Sequence, residues 1–352
     1  MKKTIHLFHH TFRRGGGMER YALGLAESFK NLGHAVVFHA HRADPAMAES
    51  LGIELRLAKV RRFPRKLQDF RFFRQVEQAR RQADGWQIAL TRVRVNDLVI
   101  CGGTHRGYLS RARKLAGPFD WLQIWMEQEG YRYARAVISH SNLCTGELTR
   151  LYAVPAGKIV TLFPPVDSAF TPPADDLARA EGRRKLGFPD GKVVFLFPSM
   201  GHRRKGLDRI YRALSSLSDN LILAVAGKPP GGLNRPWIQY LGYVQDMTEA
   251  YRAADFTILG SSYEPFGLVG PESVLCGTRL VFEENIGCLA AIKPEAVFTF
   301  SARDLETIRQ AASRAIAMAR QNRHRLSRPA EALVYNPSGV EHARALSDVL
   351  AT

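Results

Sequence analysis

Long apolar runs are missing from this sequence. Its 352 residues hold no stretch of 18 or more apolar residues, so no transmembrane helix is expected. The start, MKKTIHLFHHTFRRGG, is basic. Its apolar part is only a few residues long and is interrupted by His9 and His10, which argues against a secretory signal peptide. Cysteine is scarce: Cys101, Cys144, Cys276 and Cys288 show no CxxC spacing, and reduced, buried thiols in a cytoplasmic protein are the expectation. The GGG at 15–17 lacks the G-x-G-x-x-G spacing of a dinucleotide fingerprint. No Asp-x-Asp or local His/Asp cluster points to a metal, so none is expected.

Acidic residues are outnumbered. The net charge is +17, with 27 Lys/Arg against 15 Asp/Glu in residues 1–175 and 23 against 18 after them. A basic first half suits an anionic partner: nucleic acid, an acidic membrane or a phosphorylated substrate. Hydrophobic content of 45% is ordinary for globular cores, and the length suits two domains.

Short apolar runs alternate with helical patterns. IHLF (5–8) precedes a helix-like 18–33, then AVVFHA (35–40), a run near 53–60, IAL (88–90), LVIC (98–101), AVIS (136–139) and IVTLF (159–163) follow. The rhythm repeats in VVFLF (193–197), LILAVAG (221–227), IQYLGY, FTILG (256–260), RLVF (279–282) and VFTF (297–300), with helices from about 206, 246 and 271. Such βαβα alternation predicts an α/β chain with parallel sheets covered by helices. FPPVDSAFTPPADD (163–176), with four prolines, reads as a linker. The expected domains are 1–168 and 169–335, each Rossmann-like, with a closing helix in 336–352. Ligands of such sheets bind beyond the strand C-termini.

Several loops carry candidate chemistry. Gly16 and Gly17 stand between the first strand and a helix, where backbone N–H groups can meet an anion; a plain flexible turn is the equal alternative. Arg203, Arg204 and Lys205 follow the strand VVFLFPS in a strand-to-helix loop with Gly206 at the turn, suited to phosphate oxygens, or else a solvated basic loop. His105, in GGTHRG, is expected in a loop at the edge of the first sheet, with a purely structural histidine as the alternative.

The segment 59–81 has nine basic and two acidic residues, with Phe63, Leu67, Phe70, Phe73 and Val76 on one helical face and Phe72 off it. Three readings stand: a helix on an anionic membrane, a core helix with a basic outer face, and a nucleic-acid binder, the last unsupported by any motif. Finally, YEPFGLVGPESVLCG (263–277) places Glu264 in a loop. Pro271 is expected at the first position of a helix, with Glu272 in its first turn. Two carboxylates around backbone donors suit a ligand rich in hydroxyls and phosphates, a sugar nucleotide.

These motifs together resemble the family 4 retaining glycosyltransferases. YEPFGLVGPESVLCGT is similar to their E-x7-E motif, with Ser273 where alanine is usual; GGGMER resembles their glycine loop, and GHRRKG their diphosphate clamp in the compact form of lipopolysaccharide core glucosyltransferases. The resemblance covers essentially the whole chain. It implies a GT-B fold: two Rossmann-like domains, the first binding acceptor and the second nucleotide sugar, with an interdomain cleft, no cofactor and no essential metal.

By the same resemblance Arg204 and Lys205 hold the diphosphate, Glu264 the donor-sugar hydroxyls and Glu272 the ribose. Backbone of Phe266, Gly267 and Leu268 contacts sugar and phosphate, Gly16 and Gly17 come close to the diphosphate, and His105 bonds the sugar's 6-hydroxyl. Arg203 is an additional base, so the clamp register can shift by one; Val244, in the 241–246 loop, is assigned to the nucleobase from position only. The implied reaction moves a hexose, UDP-glucose being the first donor to test, onto a bacterial surface glycan such as lipopolysaccharide core. A UDP-N-acetylhexosamine or GDP-sugar donor stays open. A nucleotide-sugar epimerase on the same fold, another polysaccharide or lipid acceptor, and a non-catalytic basic binding protein are the alternatives. The expected location is the cytoplasmic face of the inner membrane, held peripherally through 59–81.

Overall fold

The computed structural model describes residues 2–60 and 67–352. The chain forms two compact units, Met1–Asp167 with Asn336–Thr352, and Ser168–Tyr335.

The first unit runs β1 (Thr4–Phe8), β2 (Thr11–Phe12), α1 (Gly17–Asn31), β3 (Ala35–Ala40), β4 (Arg42–Ala43), α2 (Pro45–Ser50), β5 (Glu54–Leu57) and α3 (Gln68–Gln82). It continues through β6 (Trp86–Ala89), β7 (Leu98–Cys101), α4 (His105–Ala112), α5 (Pro118–Tyr133), β8 (Ala136–Ser139), α6 (Asn142–Tyr152) and β9 (Ile159–Thr161). Seven parallel strands lie in the order β5-β3-β1-β6-β7-β8-β9, and β2 pairs with β4 apart from them. Side chains alternate across a strand, so β1 feeds both faces: Ile5 and Leu7 join one core cluster and Phe8 the other.

The second unit runs α7 (Asp176–Lys185), β10 (Val193–Ser199), α8 (His202–Lys205), α9 (Leu207–Leu214), β11 (Leu221–Gly227), β12 (Ile238–Gly242) and α10 (Met247–Ala253). Then come β13 (Phe256–Leu259), α11 (Val269–Leu275), β14 (Arg279–Glu283), β15 (Val297–Phe300) and α12 (Leu305–Arg320). Its six strands are parallel, in the order β12-β11-β10-β13-β14-β15. All seven residues of β10 are buried, as expected for a central strand covered on both faces. The last helix, α13 (Gly339–Ala351), belongs to the first unit, where Ala343, Leu346 and Leu350 share a core with Leu25, Ala26 and Phe29 of α1.

The basic segment differs from the membrane expectation. In α3, Phe72, Phe73 and Val76 are buried in the unit's second core cluster together with Val60, Phe8 and Val99. Phe70 stacks on Phe73, and both rings meet Trp125 of α5. The apolar stripe therefore covers the sheet, while Arg71, Arg74 and Arg81 face solvent. Phe72, off the stripe by spacing, is 1% exposed, because the buried face is wider than one line of residues. Phe63 lies outside the described residues, as does the rest of 61–66. No helix among the described residues is long and apolar enough to cross a membrane.

Candidate active site

In the second unit, most of the candidate residues collect at the C-terminal ends of the neighbouring strands β10 and β13. Arg203, Arg204 and Lys205 do not form a loop; they wind into the single turn of α8, and Gly206, at φ +81°, redirects the chain into α9. A Cβ at position 206 would stand 2.3 Å from the Gly260 carbonyl oxygen, so only glycine permits this approach. Two backbone bonds hold the loops together: Gly260 N–H donates to the Lys205 carbonyl at 3.1 Å and Ser262 N–H to that of Arg204 at 2.9 Å.

The side chains then converge. Arg204 Nη1 donates to Glu264 Oε2 at 2.7 Å and to the Tyr263 carbonyl at 2.8 Å, and the Ser261 hydroxyl donates to the same Glu264 oxygen at 3.3 Å. The Arg204 side chain remains 40% exposed against 16% for Glu264, so the guanidinium is the wetter partner. Lys205 Nζ donates to the Pro198 carbonyl at 2.9 Å. Burial lowers the pKa of Lys205 and Arg204 adds to the effect, while Glu264 and Glu272 pull it back. Arg203 is exposed. Of the three bases, Arg204 reaches the carboxylate loop with its side chain, while Lys205 meets the segment after β13 through its backbone carbonyl and sends its ammonium to β10.

The loop after Glu264 is fixed by its backbone. Gly287 N–H donates to the Glu264 carbonyl at 3.0 Å and Cys288 N–H to the Phe266 carbonyl at 2.8 Å. Gly267 adopts φ +90°, and a Cβ there would lie 2.8 Å from Cγ of Glu264. Helix α11 begins at Val269, two residues before the expected start at Pro271. Pro271 is tolerated because the first turn has no use for its missing N–H. Leu268 is the N-cap, and Glu272 does fall in the first turn. Glu272 is 3% exposed and accepts from the Tyr251 hydroxyl at 3.0 Å. Ser273, in place of the usual alanine, is also buried; its hydroxyl lies 2.7 Å from that of Thr257 and 3.1 Å from the Thr278 carbonyl. The extra oxygen is therefore satisfied inside the unit. Val244 is half-buried in the loop between β12 and α10, two residues before Asp246, which caps α10 through Thr248 N–H at 2.9 Å.

In the first unit, Gly16 is the N-cap of α1 and Gly17 its first residue. His105 is not in a loop; it opens α4, behind the N-cap Thr104. Its Nε2 lies 2.8 Å from Asp120 Oδ1, and its backbone N–H donates to Glu127 at 3.0 Å. The Gly117 N–H and His105 together lower the Asp120 pKa. Glu127 also receives Arg92 at 2.9 Å and the Tyr152 hydroxyl. The partners Tyr251, Asp120 and Glu127 were not foreseen, since each lies more than ten residues from the group it holds.

Residues 15–170 match Glycosyltransferase Family 4, and residues 178–332 match Glycosyl transferases group 1. A "Probable transglycosylase" of Burkholderia thailandensis is 41% identical over 99% of this chain and 97% of its own length. A D-inositol 3-phosphate glycosyltransferase of Thermobifida fusca is 31% identical over 46% of this chain and 42% of its own. Among solved structures, WaaG, a glycosyltransferase involved in lipopolysaccharide biosynthesis, superimposes with a TM-score of 0.77 at 15% identity, covering 98% of this chain and 95% of WaaG. HepE of Anabaena, in complex with UDP-glucose, gives 0.76 at 13% identity over 99% of both chains. With its two parallel-sheet units and these full-length similarities, the chain belongs to the family 4 glycosyltransferases of GT-B fold.

Proposed function

We propose that this glycosyltransferase moves a hexose from a UDP-sugar to a bacterial surface glycan, lipopolysaccharide core being the first acceptor to test, with retention at the anomeric carbon. The observation that carries the reading is the Arg204–Glu264 pair at the ends of β10 and β13, with Lys205 beside it. A guanidinium and an ammonium so placed can meet charge that builds on a leaving diphosphate. Glu264 is engaged by Arg204 and Ser261, which suits a carboxylate that orients hydroxyls better than a free covalent nucleophile. Front-face attack, with the leaving phosphate helping to deprotonate the acceptor, is the mechanism we assign. Glu272 takes the ribose, backbone at 266–268 the sugar and phosphate, Gly16 and Gly17 the diphosphate side, His105 the 6-hydroxyl and Val244 the base. Arg203 serves as an accessory charge. The transfer chemistry uses no metal and no cofactor.

The test is incubation of the protein with radiolabelled UDP-sugars and truncated core lipopolysaccharide. Sugar transfer to the acceptor with the same anomeric configuration is expected. No transfer to acceptor or water from any donor, by folded protein, ends the proposal. UDP-sugar interconversion without acceptor favours an epimerase.

We further place the protein at the cytoplasmic face of the membrane, on an anionic surface. Since the α3 stripe is buried, the support comes from another surface: Leu115 (98% exposed), Trp121 (55%) and Phe119 (43%), with exposed Arg111, Arg113 and Lys114. A L115S/W121S variant should lose co-sedimentation with anionic liposomes. Unchanged sedimentation removes this surface from the membrane role.

A further inference from the structure

One side-chain cluster in the first unit plays no part in the proposed transfer. His10 follows β1, His41 stands between β3 and β4, and Asp69 lies in the first turn of α3. One ligand-type atom from each lies within 4.8 Å of the others. Both ring nitrogens of His10 and both of His41 are buried without a hydrogen-bond partner among the described residues. Buried polar atoms are nearly always satisfied, so four unpartnered ring nitrogens, one from each ring converging on a carboxylate, ask for an explanation.

Distance supplies one. His10 Nδ1 and Asp69 Oδ1 are 3.6 Å apart, too far for a hydrogen bond. Two ligands at about 2.0–2.1 Å from one tetrahedral ion sit about 3.4 Å from each other. The rings are also held in place. Those of His10 and His41 meet edge-on at 5.5 Å, and each lies 5.4 Å from the ring of Phe72. The two histidine segments are clipped together, because the N–H groups of His41 and Arg42 donate to the His10 carbonyl at 3.3 and 3.2 Å.

We propose that His10, His41 and Asp69 bind a divalent transition-metal ion of the zinc class, with the fourth position taken by water. Two imidazoles with one carboxylate suit such an ion better than magnesium or calcium, which take oxygen ligands. The ion ties the ends of β1 and β3 to the start of α3. The ring nitrogens are buried, and the Asp69 side chain, 38% exposed, is the side from which an ion would enter. Two cations nearby oppose it: Arg42, bonded to Gln68 at 2.6 Å, and Arg92, bonded to Glu127 at 2.9 Å. Both guanidiniums have partners of their own, so they weaken the site without filling it. The proposal is independent of the sugar-transfer reading and shares no residue with the donor site.

The experiment is calorimetric titration of metal-stripped, full-length protein with Zn2+, and a parallel titration with Co2+ followed by visible absorption. One equivalent bound, the absorption of four-coordinate Co2+ and a higher Tm with metal are expected. D69N should weaken binding by more than the roughly 10–100-fold that loss of an outer-shell partner causes. H41Q should abolish the cobalt spectrum, and H34Q should bind as the unaltered protein does. Absence of saturable binding to the unaltered protein overturns the proposal. So does one full-affinity equivalent in both H41Q and D69N, each checked for folding by circular dichroism.

Discussion

Arg204 serves two neighbours through a single nitrogen, Glu264 and the Tyr263 carbonyl. In the proposed transfer, removing it takes away a charge needed most as the leaving group forms. R204A should lower kcat by about 10²–10³-fold with a smaller change in KM. R204K should recover only part, because an ammonium cannot grip carboxylate and phosphate in the same plane. An equal kcat for R204A and unaltered protein in steady-state assays would remove Arg204 from the mechanism. Gly267 makes a structural counterpart. G267A places a Cβ against Glu264 at a positive φ, and a loss of about 1–3 kcal/mol is expected from denaturant titration. At this scale the sequence was readable where candidate residues are neighbours in the chain. Glu264 and Glu272 sit within one short segment, and so do Arg204 and Lys205. Tyr251, twenty-one residues from Glu272, was invisible, as were His10, His41 and Asp69 as a group. Only folding brings such residues together, and their spacing follows no helical or strand period.

Elements tell a similar story. The strands were legible because a parallel strand covered on both faces is nearly all apolar, as β10 and β11 are. Helix starts were harder: α8 looked like a loop because its four residues are His, Arg, Arg and Lys, with no apolar face to reveal a turn. The period of α3 was legible, but which of the three readings of its face holds was not, and the buried face fits the core helix. Periodicity reports that a face is apolar, and it cannot distinguish a sheet from a lipid surface. The structure makes a sharp prediction here. Phe73 is 2% exposed, so F73S should destabilise the protein by about 3–5 kcal/mol in urea unfolding. A variant with undiminished stability would mean that the helix does not cover the sheet.

Across the whole molecule, buried histidines link stability to acid. Burial lowers His140 to about 3 and His342 to about 4, and His39 to about 3. In the unfolded chain these rings titrate near 6.5. Their native neutral forms thus contribute stability above pH 6.5, and this is lost as pH falls toward 4, because the unfolded state takes up protons first. Each ring costs up to about 1.4 kcal/mol per pH unit in that window. The urea midpoint should fall steeply between pH 6.5 and 4.5, and H342Q should flatten the slope. A midpoint constant over that range counts against the burial assigned to these rings.

The return of α13 to the first unit has a consequence for synthesis. Leu346 and Leu350 complete the core beneath Leu25 and Phe29, yet they follow the whole second unit in the chain. The second unit, Ser168–Tyr335, has all its residues before the first unit does. At about 5–20 residues per second, the ribosome leaves the older half waiting for on the order of 10–40 s with one helix-sized gap in its wall. During that interval the apolar face of α1 at Leu25 and Phe29 is made without the two leucines that cover it in the finished unit.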